Sequence, residues 1–203
     1  MIKLRLFTSQ EYSNKPLCYL HTFDNSGCVS FGHSSFEKLL KKNIITKDYY
    51  DTSYKFTFVR NPYDRFVSLY FYFKLNNVMK FKQFVEYFGK HFNEIVPKIG
   101  LSSSFQFNDK LLYDYEGSQF NLQTSWIPHD INFIGKFENL LSDFNKLLTN
   151  IGYEYQENKL DLINVSKHDI YYTYYDKYTA DIIANIYNDD FVRFNYSKDI
   201  QLS

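Results

Sequence analysis

A short β-rich run that ends directly on a helix start constrains this chain more than any other feature. Tyr54-Lys55-Phe56-Thr57-Phe58-Val59 alternates and is rich in aromatic and branched residues, the pattern of a central strand. Asn61-Pro62 then opens a helix: Asn caps first-turn amides, and Pro at the first helical position forfeits no bond. Phe66, Leu69, Tyr70 and Phe73 follow at helical spacing and are expected to point inward.

The same strand-then-helix order recurs along the chain. Leu17 to Phe23 is a strand candidate ahead of a helix over Ser34 to Lys42. Ile131 to Gly135 is another strand, followed by a helix with Leu140, Leu141, Phe144, Leu147 and Leu148 on one side. Phe81, Phe84, Val85, Phe88, Phe92 and Ile95 mark the clearest amphipathic helix, and Pro97 to Trp126 reads as mostly irregular. A last helix is expected from Asp176 to Phe194, burying Ile182, Ile183, Ile186 and Phe191. Alternation of this kind predicts an α/β fold with a central parallel sheet flanked by helices, whose ligands gather beyond the carboxyl ends of the strands.

Composition removes several function classes. The 203 residues suit one domain, and no linker, repeat or charged tail divides them. Lys+Arg and Asp+Glu both total 23, so a zero net charge argues against nucleic acid or an anionic membrane as partner. No window approaches the ~18 apolar residues of a membrane span, and the start lacks a secretory signal, so a soluble cytoplasmic protein is expected. Cys18 and Cys28, with His21 and His33, could suggest zinc. Strand neighbours three apart face opposite ways, so buried free thiols are favoured and no metal is expected. The 21 Phe and 20 Tyr are read as coding bias in preference to a base-stacking surface.

The joint at Val59-Arg60-Asn61-Pro62 carries the chemistry. A helix start at a strand's carboxyl end offers free amides and a positive dipole end to an anion. Arg60 stands at the strand tip, where its planar fork suits phosphate oxygens; Ser68 lies about two turns along. Only four arginines occur, against nineteen lysines, and Arg60 and Arg65 both fall here, which suggests that bidentate geometry matters. The plainer alternative makes Asp64 and Arg65 helix-surface charges and lets Arg60 cap a carbonyl.

Phe56-Thr-Phe-Val-Arg60-Asn-Pro-Tyr-Asp-Arg65-Phe-Val-Ser68 resembles the 3′-phosphate signature of sulfotransferases that use 3′-phosphoadenosine 5′-phosphosulfate (PAPS), nearest to the carbohydrate branch. Three further stretches match in order: Gly32-His33-Ser34-Ser35, Phe133 to Phe144, and Asn164 to Tyr196. The resemblance implies a P-loop-NTPase-like three-layer fold forming a single domain over residues 1–203, with 1–32 atypical. It implies PAPS as co-substrate, no metal, and a hydroxyl-bearing acceptor, with a carbohydrate the expected class. Arg60 and Ser68 would hold the 3′-phosphate. Phe137 would lie near the adenine or else in the core, and Lys167 near the phosphates or else in solvent. His33 would be the general base, as a histidine titrating near neutrality suits an acceptor hydroxyl, or would merely hold its loop.

One family element does not match. The Lys- and Gly-containing loop ending in Thr-Ser, which wraps the 5′-phosphosulfate, has only Asp24-Asn25-Ser26-Gly27-Cys28-Val29-Ser30-Phe31 as a counterpart, with Asn25 in the lysine position and Val29 in the threonine position. Either this loop is degenerate or the true one lies upstream of the chain, the second being slightly favoured. An active sulfotransferase is therefore the expectation. A relative that binds 3′-phosphoadenosine 5′-phosphate or a partner without turnover is the alternative. A nucleotide kinase has no support, because no Gly-x-x-x-x-Gly-Lys-Ser/Thr loop occurs.

Overall fold

The strand-to-helix joint forms as its residues dictate. In the computed structural model, which describes residues 21–24, 27–30, 36–41, 45–95, 119–153 and 168–200, strand β3 (Phe56–Val59) leads into helix α3 (Pro62–Tyr72). Ahead of them stand β1 (His21–Asp24), β2 (Gly27–Ser30), α1 (Phe36–Lys41) and α2 (Lys47–Thr52). After them come α4 (Phe81–Ile95), β4 (Phe133–Lys136), α5 (Leu140–Asn150), α6 (Lys177–Ile186) and α7 (Asn188–Arg193).

β3 and β4 pair in parallel, with Phe56 opposite Phe133 and Val59 opposite Lys136. Side-chain alternation covers both faces. Phe58 and Phe133 pack on α5 through Phe144, Leu147 and Leu148, whereas Val59 and Ile134 meet Ile127, Trp126 and Phe194. The fold is thus α/β with a small parallel sheet, as the alternation predicts. Gly135 is needed where it stands, because a Cβ there would fall on the Phe58 ring.

The larger core lies on the far side of α3. Phe66 sits among Phe81, Phe84, Phe88, Phe120 and Tyr187, with ring centres 5.0–6.2 Å apart. The abundant aromatics thus serve as core, edge-on or offset, as ring quadrupoles prefer. Buried tyrosines keep their hydroxyls satisfied: Tyr63 donates to Lys198 O at 2.8 Å, Tyr175 to Tyr63 O at 2.9 Å and Tyr187 to Phe120 O at 2.6 Å.

Three elements differ from expectation. The single C-terminal helix is two, broken at Tyr187 (φ −97°, ψ 23°), because Asn188-Asp189-Asp190 are weak helix-interior formers that favour a fresh N-terminus. Helix α2 was not expected; Thr46 caps it by accepting from Tyr49 N at 3.1 Å. The stretch offered as the counterpart of the 5′-phosphosulfate loop contains a second strand that was not expected: β2 pairs antiparallel with β1, Asp24 opposite Gly27. Residues 17–20 and Cys18 lie outside the described residues.

Candidate functional site

At the end of β3 the chain turns so that Arg60 projects beside the first turn of α3. Its Nε donates to Asp64 Oδ2 at 2.6 Å, with the two side chains 23% and 17% exposed. Its guanidinium carbon stands 4.7 Å from the centre of the Phe137 ring, which is itself 44% exposed. That contact is a cation–π stack at the helical turn after β4. Only Nε is spent on Asp64, so among the described residues the Nη1–Nη2 edge of the fork has no hydrogen-bond partner. Two parallel N–H groups on that edge are what a phosphate or carboxylate accepts from.

The helix start itself is less open than the sequence suggested. Asn61 caps it by accepting from Tyr63 N at 2.9 Å, and Pro62 has no N–H to offer. The Asn61 N–H donates to Glu138 Oε1 at 2.6 Å. Glu138 Oε2 accepts from the Tyr196 hydroxyl at 2.8 Å. Burial, then this carboxylate, pushes the Tyr196 phenol well above its ordinary pKa. Lys136 lies over the Tyr196 ring at 4.3 Å and donates to Asn195 O at 3.1 Å. The anion-binding capacity of the joint therefore rests on Arg60 more than on helix amides.

Ser68 lies on the same face of α3 as Asn61 and Asp64, seven and four residues from them respectively, and is half-buried. Asp64 and Arg65 are not the surface charges of the plainer alternative. Asp64 is the ion-pair partner of Arg60. Arg65 is half-buried, donates through Nη2 to Gln119 O, and is held below its ordinary pKa by desolvation. It borders a cavity of about 360 Å³ whose wall includes Thr57, Val59, Leu69, Gln123 and Trp126. Arg60 and Phe137 are not part of that wall.

Of the residues singled out from the sequence, Arg60 and Phe137 come into contact and Ser68 shares their side of α3. His33 and Lys167 lie outside the described residues. No cluster of potential metal ligands occurs among the described residues. Sequence reasoning missed the residue that holds Arg60 from behind. The Gln123 side chain accepts from Arg60 N at 2.9 Å and donates to Arg60 O at 2.9 Å. It missed Asp190 as well, fully buried, which accepts from Gln123 N and Thr124 N, both at 2.8 Å. One signal pointed to Asp190: it falls on the stripe formed by Ile183, Tyr187, Phe191 and Phe194, so its carboxylate had to be paired inside.

Against known proteins, the model of a family described as the sulfotransferase family matches residues 7–197. No curated protein and no solved structure matches the chain.

Proposed function

Since the chain belongs to the sulfotransferase family, we propose that it moves a sulfuryl group from PAPS to a hydroxyl acceptor, with a carbohydrate the acceptor class. In this proposal β3 and β4 form part of a P-loop-like three-layer sheet. The observation that carries it is the Arg60 fork, anchored at Nε by Asp64, backed by Phe137, and open along its Nη edge.

Arg60 would take two oxygens of the 3′-phosphate along that edge, with Ser68 two turns further along the same helix face. Phe137 has one ring face against the guanidinium, and its exposure leaves area for an adenine. His33, the proposed base, would take the proton of the acceptor hydroxyl as its oxygen attacks sulfur. The bond from sulfur to the bridging phosphate oxygen breaks, and the electron pair leaves on the nucleotide. Lys167 would lie near the phosphates. The donor supplies the activated sulfuryl group; the transfer needs no metal. No helix among the described residues is long and apolar enough to cross a membrane.

The hairpin at Asp24–Gly27 favours a second reading. A strand over Gly27–Ser30, within the one stretch that offers a counterpart of the family's phosphosulfate loop, gives no support to a built leaving-group site there. A protein that binds the nucleotide product without turnover fits that observation. Thermal shift with 3′-phosphoadenosine 5′-phosphate (PAP), ATP and AMP, followed by labelled-sulfate transfer to a panel of glycans and small alcohols, separates the cases. Stabilisation by PAP above the other two, with transfer, is the expected result. PAP stabilisation with no transfer to any acceptor selects the second reading, and equal response to all three nucleotides removes both.

A further inference from the structure

We infer that Gln123, held in turn by α7, is a positioning residue for Arg60, and that the preference for a 3′-phosphate depends on it; this rests on the reading of Arg60 given above. In a parallel pair, alternate residues direct both backbone groups to the same neighbour. Lys55 O accepts from Asn132 N at 2.9 Å and Phe133 N at 3.2 Å, so Lys55, Thr57 and Val59 face β4. Arg60, in the same alternation as Phe56 and Phe58, faces the other way, toward the edge that β4 does not cover. There the Gln123 amide supplies one acceptor and one donor, each at 2.9 Å, as a neighbouring strand residue would. The orientation of the amide is fixed by its partners, because an N–H must donate and a carbonyl must accept.

Gln123 is itself clamped from both ends of its turn. Asp190, at the start of α7, accepts from the Gln123 and Thr124 amides. Arg193, three residues on, donates to Thr124 O at 3.2 Å, Ile127 O at 3.0 Å and Pro128 O at 2.9 Å. Thus α7 grips the donors at one end of the turn and the carbonyls at the other, and the turn fixes the main chain from which the Arg60 side chain departs. Gln123 is only 8% exposed, so losing its amide leaves the Arg60 N–H and carbonyl without their side-chain partner in a largely buried place. A small displacement of the Arg60 main chain shifts its fork relative to Ser68 and Phe137, and bidentate recognition tolerates little of that.

The test measures the affinity ratio of PAP to AMP by calorimetry on the full chain and on Gln123→Leu and Gln123→Glu, with melting curves alongside. Gln123→Leu is expected to cut that ratio by about tenfold or more, as befits losing well-set charge-assisted bonds, while AMP affinity stays within about twofold. A purely structural role would lower both affinities together. Gln123→Glu adds a readout that packing does not move. Ionised, its carboxylate accepts from Arg60 N but repels both Arg60 O and the buried Asp190 carboxylate, whose Oδ2 lies 3.5 Å from the Gln123 amide nitrogen; burial and that like charge favour the acid form, which again donates and accepts. Its PAP-to-AMP ratio, taken relative to wild type at each pH, should rise from about pH 8 to about pH 5.5 as the acid form returns. If Gln123→Leu does not fold, the pH series decides alone. An unchanged ratio in Gln123→Leu, or a flat series in Gln123→Glu, overturns the inference. A wild type that does not distinguish PAP from AMP instead overturns the assignment of Arg60.

Discussion

Removing Arg60 separates what the guanidinium does for a ligand from what it does for the fold. In Arg60→Ala the 3′-phosphate loses a charge-assisted contact that, part-exposed as it is, is worth about 1.5–3 kcal/mol in all, so PAP affinity should fall about 10- to 150-fold. AMP has no 3′-phosphate and should lose little. The same substitution strands Asp64, whose side chain is 17% exposed and whose partner sat 2.6 Å away. Breaking a fully buried pair costs about 3–5 kcal/mol; water reaching roughly a fifth of each side chain brings this to about 2 kcal/mol. For a domain of this size that is a fall of about 4–8 °C in melting temperature. The double variant Arg60→Ala/Asp64→Asn removes the stranded charge, so it should recover most of the melting temperature while PAP preference stays lost. Titration calorimetry with both nucleotides, paired with thermal melts, reads the two effects apart. An Arg60→Ala protein that still prefers PAP to AMP by the wild-type factor would refute the assignment, whatever its stability.

Two further outcomes follow from the packing and from the charges. Gly135→Ala drives a Cβ onto the Phe58 ring. That ring is wedged between Phe133 and Phe144, so overpacking should cost about 1–3 kcal/mol in urea unfolding, and a loss below about 0.5 kcal/mol would show that the ring yields freely. Asp176 caps α6 and is held down to about 2 by Lys82 at 2.7 Å, then by Thr179. Its contribution is therefore complete above the ordinary carboxylate value of 3.8 and is lost as pH falls toward about 2. Asp176→Ala should flatten the stability profile across that window, and an unchanged slope there would contradict the assignment.

The parts of the site that could be read from sequence are those whose partners are near in the chain. The strand ending at Val59, the cap at Asn61, the proline and the inward Phe66 and Tyr70 obey local rules of alternation, capping and helical spacing, and each forms as those rules require. The boundary at Tyr187 was hidden because Ile183, Tyr187, Phe191 and Phe194 keep one helical phase across it, while weak helix formers at Asn188 to Asp190 interrupt the backbone beneath them. Periodicity reports which side chains are buried and is nearly blind to a break that keeps them in phase.

What sequence could not give is the support behind Arg60. Gln123 lies 63 residues from it and Asp190 another 67 beyond, in stretches that read as mostly irregular and as part of the last helix. Their roles are bonds from side chain to main chain, which leave no mark on the residue that receives them. Glu138 is similar: it opens a helical turn of its own, yet its carboxylate is spent on Asn61 N and the Tyr196 hydroxyl. The consequence is an asymmetry in how the site is built. The two residues proposed to hold the 3′-phosphate, Arg60 and Ser68, sit in one contiguous signature, whereas those that hold that signature still come from three distant segments. Substitutions at Gln123, Glu138 or Asp190 should therefore loosen recognition while leaving the signature itself intact, so an unbroken Arg60-to-Ser68 motif does not by itself establish a working site.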